Sequence, residues 1–329
     1  MSAAPTELDR LVSDAVRRAT GYGTTRTGRA RRHAWSLHVP YRDGGGRDLL
    51  AKVPLWHGAP TLEAALAAGP QPATRREFDT LVAFDARAQG EPGLAPVPIV
   101  AYAEPANAIV MERIEARTLS RRLGWGRGRG DVGRLMGRVG TAIRLLHEAT
   151  GGGDRAGFDA AALAARLGEI AASSHLPDRA GGVVQAVRAR GESLAGAATA
   201  TAVLHGDLSQ ANVLVTADDR VAIIDPNHVR GDVHLDAAHL LTDVTARRDQ
   251  VITGGLLRPF PLVREWAACL ADGHGGLDRG LLEAHWAVAL LERWAEVRRR
   301  RLGPVAGPVA GRVVESRVSS LVAPQDAAG

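Results

Sequence analysis

Asp207 and Asn212 stand five positions apart, and a further aspartate, Asp225, follows 18 positions after the first. Phosphoryl transfer needs a carboxylate near an attacking hydroxyl and hard oxygen ligands for a divalent cation between the phosphates. An Asp with an Asn five residues on supplies both, and a second Asp at the end of a strand reaches the cation from the other side. The same chemistry needs an ammonium on the α- and β-phosphates, held by an acid. Of the 41 basic residues 40 are arginine and only Lys52 is lysine, so position 52 requires an ammonium. Glu77 is its candidate partner, with Asp79 and Glu63 as alternatives. Read alone, Asp207 and Asn212 also suit a polar turn, because Asp and Asn bond their own backbone. Their conjunction with His205-Gly206, Asp225 and a lone lysine favours the chemistry, and the chain has only three asparagines.

These residues need particular elements to carry them. Residues 34–54 alternate around Gly44 to Gly46, which predicts a β-hairpin with Lys52 on its second strand. After a Pro/Gly-rich insertion over 56–72, with room for one short helix, residues 73–87 predict a helix with Phe78, Leu81, Val82 and Phe84 inward and Glu77 in its first turns. Strands follow at 97–102 and 108–114. Asp131 is the expected N-cap of a helix running through His147, and helices are expected at about 158–173 and 181–198. Short strands at 202–204, 213–215 and 221–224 carry the Asp207 to Asp225 chemistry on their loops. Helices resume near 233–246, 261–272 and 278–301, before a GPVAGPVAG tail and a last short amphipathic stretch. The N-terminal segment is an amphipathic helix with Leu8, Leu11, Val12, Ala15 and Val16 on one face.

Composition excludes several classes. No apolar stretch reaches the ~18 residues of a membrane span. The N-terminal segment has no apolar leader core, and the single cysteine, Cys269, excludes an internal disulfide, so a cytoplasmic location is expected. The net charge of +5 comes from arginines scattered among acids, which describes a solvated surface and not a nucleic-acid stripe.

The run His205-Gly206-Asp207-Leu208-Ser209-Gln210-Ala211-Asn212, with Ile223-Ile224-Asp225-Pro226 and then Gly231-Asp232 to Asp236, resembles the aminoglycoside phosphotransferase family. Met111 to Leu119 resembles its strand-to-hinge segment, and Leu146-His147 the end of the helix before its catalytic loop. The resemblance implies an α+β, bilobal, protein-kinase-like fold. Residues 1–114 would form a small N-lobe, with an antiparallel sheet and one αC-type helix, and 115–329 a larger, mostly helical C-lobe. It implies Asp207 as catalytic carboxylate, Asn212 and Asp225 as Mg²⁺ ligands, and Lys52 with Glu77 as phosphate clamp. The backbone of Glu112, Arg113 and Ile114 would face adenine or guanine, and His205 and Asp236 would hold the loop and the following helix. The implied activity is transfer of the γ-phosphate of ATP or GTP to a hydroxyl of a small molecule, such as an antibiotic or related natural product.

Three departures accompany the match. No Gly-rich phosphate loop precedes Lys52, Ser209-Gln210-Ala211 replaces the more usual His-Pro-Gly, and Pro226 follows the metal aspartate. A nucleotide-binding module without catalysis is the rival, and it would lack some of these polar parts, all of which are present. A protein kinase is disfavoured by Gly206 and the helical insertion at about 151–198. His228 and His234 are expected on the surface or at a ligand, and Trp286 and Trp294 in the core or a cleft wall. The basic net charge favours a neutral or anionic acceptor such as a nucleoside antibiotic. A pocket between 151–198 and 255–300 lined mainly by carboxylates would restore the aminoglycoside or sugar. Alanine and arginine richness suggests a GC-rich, antibiotic-making source, with self-resistance or biosynthesis as the role.

Overall fold

The computed structural model describes residues 6–123, 129–173, 176–177, 180–246, 259–299 and 306–323. Helix α1 (Glu7–Thr20) opens with a capping box between Thr6 and Asp9, and Asp9 also accepts a 2.7 Å hydrogen bond from the buried Tyr41 hydroxyl. Its apolar face, Leu8, Val12, Ala15 and Val16, packs on a six-stranded antiparallel sheet. That sheet contains β1 (Thr24–Arg26), β2 (Arg31–Arg32), β3 (Ser36–Asp43), β4 (Asp48–Pro54), β5 (Ile99–Ala103) and β6 (Ala108–Glu112), in the order β1-β3-β4-β6-β5 with β2 also on β3. The predicted hairpin is β3 and β4. Strand alternation sends Leu49, Ala51 and Val53 into the α1-side core, so Lys52 faces the other side, where Leu50 also packs.

On that other side, after the short α2 (Leu62–Ala68), lies α3 (Pro72–Ala88), with Pro72 in its first turn. Its buried residues are Thr74, Glu77, Thr80, Leu81, Phe84 and Ala88. The expected stripe is corrected here: Val82 is exposed and Phe78 only partly buried. Threonines and a glutamate occupy the inward positions, so an apolar pattern alone rotates the face wrongly and hides the burial of Glu77.

Strand β7 (Ala116–Thr118) leaves the sheet region and joins β10 (Val213–Thr216) and β11 (Val221–Ile223) in a second sheet. A third sheet holds β8 (Asp154–Gly157), β9 (Ala198–Leu204) and β12 (Val229–Asp232). β8 and β12 were not expected, and β9 starts where the sequence suggested helix. These are edge and cross-sequence pairings whose hydrogen bonds come from residues far apart in the chain. The remaining helices are α4 (Leu119–Arg122), α5 (Arg129–Ala149), α6 (Ala160–Ala172), α7 (Gly181–Ser193), α8 (His234–Thr245), α9 (Phe260–His274), α10 (Arg279–Arg299) and α11 (Ala306–Val322). Asp131 lies inside the first turn of α5 and ion-pairs Arg134, so it is not the cap. The second GPVAG of the tail belongs to α11, whose Val314, Val318 and Leu321 join the main core.

The largest core cluster gathers α5 to α11 around Leu135, Met136, Ile143, Leu167, Trp286 and Trp294, each at most 1% exposed. Burying a large apolar side chain stabilises by roughly 1.5–3 kcal/mol. Helices α5 and α9 cross in close contact because Gly140 and Gly273 lie at the crossing; a Cβ on either would strike a carbonyl oxygen of the facing helix. The whole is the α+β, kinase-like architecture expected from the resemblance. Among the described residues no helix is long and apolar enough to cross a membrane.

Candidate active site

Lys52 is 7% exposed on β4, and its ammonium donates to Glu77 Oε1 at 2.6 Å and to Asp225 Oδ1 at 2.8 Å. The three groups come from β4, α3 and the segment after β11, so one salt bridge ties β4 to α3 and the other ties it to the strand-loop island. Burial opposes the charge on Lys52, but the facing Asp225 and Glu77 carboxylates outweigh it and raise its pKa. Burial raises the pKa of Glu77, with Lys52 pulling the other way. One ammonium thus stands between two carboxylates.

The loop bearing Asp207 hangs on one buried carboxylate. Asp236 of α8 is 0% exposed, and its Oδ2 accepts from His205 N at 2.7 Å and from His147 Nε2 at 2.9 Å, while Oδ1 accepts from Gly206 N at 2.9 Å. Burial pushes its carboxyl up, but the His147 hydrogen bond and the Gly206 amide hold it below the usual value. His205, also 0% exposed, donates from Nε2 to Ile224 O at 2.8 Å and accepts from Asp207 N at Nδ1. Asn227 N donates back to His205 O at 2.6 Å. Gly206 is required by its backbone: its φ is +76°, and a Cβ would lie 2.9 Å from Val229 Cγ2. Asp207 itself is exposed.

Asn212 and Asp225 meet through β10 and β11, where Val213 pairs with Ile223 and Ile224 N donates to Asn212 O at 3.0 Å. Asn212 Nδ2 donates to Asp207 O at 2.9 Å, which commits its amide nitrogen and leaves Oδ1 as the atom that could hold a cation. Asp225 adopts φ +62°, a left-handed conformation that aspartate tolerates but that costs of order 1–3 kcal/mol and clusters at functional sites. An amide oxygen and a carboxylate beside an excess of negative charge fit Mg²⁺, which takes one or two protein carboxylates and completes its shell with phosphate and water.

Beside the loop is a cavity of about 330 Å³ lined by Asp207, Ser209, Asp243, Arg293 and Glu296 among others. A second cavity of about 640 Å³ lies between β8–α6 and α10, with Phe158, Leu163, Leu235, Val288, Asp232 and Arg166 in its walls. His239, Ala289 and Glu292 line both, so the two are adjacent. Helical spacing explains the arrangement: Asp236, His239 and Asp243 share one face of α8, and His285, Ala289, Glu292 and Glu296 share one face of α10. The charged lining of the two cavities taken together is six carboxylates against two guanidiniums.

The structure therefore brings Lys52, Glu77 and Asp225 together, and ties Asp207, Asn212, His205 and Asp236 into one network. At the strand-to-hinge segment, Glu112 N donates to Pro98 O and Arg113 N to Asp48 O, and the Glu112 side chain pairs with Arg47 at 3.1 Å. Of these three positions only Ile114 N–H lacks a backbone partner among the described residues. His234, expected at the surface or a ligand, is 1% exposed; its Nδ1 bonds Asp232 at 2.6 Å, and its Nε2 accepts from Asp278 N at 2.9 Å. His228 bonds Thr80 Oγ1 at 2.8 Å and so fastens α3 to the segment after Asp225.

Sequence reasoning missed Asp243, Glu292 and Glu296. The first adds a second anchor to the loop: it accepts from Gln210 N and Nε2 at 3.0 and 3.1 Å. The i, i+3/i+4, i+7 spacing of polar residues on α8 and α10 was the available signal. His38 was also missed. It faces Lys52 across the β3–β4 ladder and stacks on His33 at 4.2 Å, and burial with the neighbouring His33 holds its pKa at about 4.

The family model described as "Phosphotransferase enzyme family" matches residues 29–269. No curated protein matches the chain by sequence. Among solved structures, a candidate aminoglycoside phosphotransferase from Ralstonia eutropha superposes with a TM-score of 0.60 at 14% identity, covering 95% of this chain and 97% of that one. An amicoumacin kinase solved with AMP-PNP, Ca²⁺ and Ami gives 0.52 at 12% identity over 90% and 88% of the two chains. A glucosamine kinase gives 0.50 at 15% identity over 98% and 99%. At these identities the superpositions show a shared fold.

Proposed function

The chain belongs to the phosphotransferase enzyme family, and from that premise we propose that it moves the γ-phosphate of ATP or GTP onto a hydroxyl of an amine-bearing small molecule, with Asp207 as the catalytic carboxylate. The observation that carries this reading is the Lys52 ammonium held at 2.6 Å by Glu77 and at 2.8 Å by Asp225, across from the loop bearing Asp207 and Asn212. In this reading residues 1–114 form the nucleotide lobe and 115–329 the catalytic lobe, with Ile114 N–H at the nucleobase edge. Lys52 neutralises the α- and β-phosphates, and Glu77 keeps it in place. Asn212 and Asp225 would hold Mg²⁺, which when bound neutralises charge on the β- and γ-phosphates. Asp207 orients the acceptor hydroxyl and takes its proton while the hydroxyl oxygen bonds to the γ-phosphorus. The bond from γ-phosphorus to the β,γ-bridging oxygen breaks, and the nucleoside diphosphate leaves.

The acceptor reading departs from the one the net charge favoured. A surface of net charge +5 suggests a neutral or anionic acceptor, but steering and binding answer to the local field. The excess of carboxylates in the two adjacent cavities restores an aminoglycoside or amino sugar. Antibiotic inactivation and biosynthetic phosphorylation are both served by this chemistry, and a cytoplasmic location would supply the nucleotide.

The test is nucleotide consumption with Mg²⁺ across a panel of cationic, neutral and anionic antibiotics and sugars, for wild type and Asp207→Ala. Turnover dependent on a cationic acceptor, lost by at least ~100-fold in the variant, is expected. Nucleotide binding without turnover on any acceptor would instead mark a binding module.

A further inference from the structure

The cavity beside Asp207, about 330 Å³, is at the small end of the range for small-molecule sites, roughly 300–1,000 Å³, and shares three wall residues with one nearly twice its size. The larger cavity has walls of a different kind. Phe158 after β8, Leu163 of α6, Leu235 of α8 and Val288 of α10 converge on it, and Phe158, Leu163 and Val288 are each less than 9% exposed. A small polyhydroxylic acceptor filling only the first cavity would leave that apolar surface facing water.

One acid stands where the cavities adjoin. Glu292 lines both cavities and sits 2.5 Å from Arg166, while Asp232 lies deeper, with His285 at 3.6 Å and His234 bonded to it. Burial alone would raise the carboxyl of Asp232, but the His234 hydrogen bond outweighs it and holds the group well below the usual range, so it is a fixed anion. A carboxylate where the two cavities adjoin and an apolar chamber beyond match a ligand whose ammonium separates a hydroxylated end from an apolar body.

We propose that the acceptor is an amphiphilic amine: its reactive hydroxyl beside Asp207, its ammonium at Glu292, and its apolar body in the chamber between α6, α8 and α10. This rests on the phosphotransfer reading above for the role of Asp207, but the chamber and Glu292 are tested by binding alone.

The experiment is calorimetric titration of the full chain with 2-amino-2-deoxyglucose, its hexyl glycoside, and hexyl glucoside, which has the tail and no amine. Each methylene taken out of water strengthens binding about fourfold. The hexyl aminoglycoside is therefore expected to bind at least ~10-fold more tightly than its parent, with a more negative heat-capacity change. It is also expected to bind several-fold more tightly than the amine-free glycoside. Ala162 is exposed at the rim of the chamber, so Ala162→Trp fills the space without opening the core. That variant is expected to bring the ratio of tailed to tail-free affinity close to one.

Equal affinity for the tailed and untailed amino sugars overturns the proposal, as does a tail advantage that survives Ala162→Trp. A tail and amine advantage without nucleotide consumption on any acceptor supports the chamber and overturns the phosphotransfer reading instead, which separates the two failures.

Discussion

Replacing Asp236 by asparagine tests whether one buried carboxylate holds the catalytic loop. Asp236 accepts three hydrogen bonds at 2.7, 2.9 and 2.9 Å from His205 N, His147 Nε2 and Gly206 N, and is 0% exposed. An asparagine can keep one oxygen where Oδ2 stands, but its amide nitrogen then meets the Gly206 amide, donor against donor. A charge-assisted bond contributes about 1.5–3 kcal/mol and a buried orphan donor costs about 1–3, so a loss of about 3–5 kcal/mol is expected. For a chain of 329 residues that corresponds to a fall of about 4–7 °C in melting temperature. The carboxyl's folded-state pKa lies below its ordinary 3.8, so its stabilisation is complete above that pH and is lost as pH falls through the lower folded value. The gap between wild type and variant should therefore be constant near neutrality and close below about pH 4. Because Asp236 does not touch Lys52, Glu77 or Asp225, nucleotide affinity should hold while kcat falls. Thermal melts from pH 3 to 8, with nucleotide titrations and turnover, measure all of this. A variant with wild-type melting temperature and kcat would refute the claim that this carboxylate sets the loop.

Lys52→Met should lower turnover by at least ~100-fold. Glu77, already raised by burial, should take up a proton, so that the variant still melts cooperatively; steady-state rates beside a melting curve decide it. Gly206→Ala places a Cβ at φ +76° and 2.9 Å from Val229 Cγ2. It should lose about 1–2 kcal/mol from backbone alone, and adding Val229→Ala should relieve the steric part while the φ part persists in denaturant unfolding. Glu292→Gln with Glu296→Gln should raise the KM of a cationic acceptor roughly tenfold. Raising ionic strength should weaken acceptor binding in wild type more than in the double variant.

The chemistry was legible in the sequence because phosphoryl transfer fixes residue types at short spacings. Asp207, Asn212 and Asp225 lie within one strand-loop island, and Lys52 is singled out as the chain's only lysine. The β3–β4 hairpin and the helices of the second half were legible from period alone, since each buries an apolar face. Tertiary structure decided what depends on partners distant in sequence. Glu77 was fixed as the partner of Lys52 because α3 buries a face of threonines and a glutamate that apolar periodicity does not mark. β8 and β12 exist only through pairing with β9, and a strand's hydrogen bonds belong to its neighbour as much as to itself. His234 became a core residue because Asp232 and Asp278, 46 positions apart, converge on it. The sign of the charge around these cavities was likewise invisible in composition, which sums charge over the whole surface. Only the folding of α8 and α10 against each other concentrates carboxylates beside Asp207 in a chain whose net charge is positive.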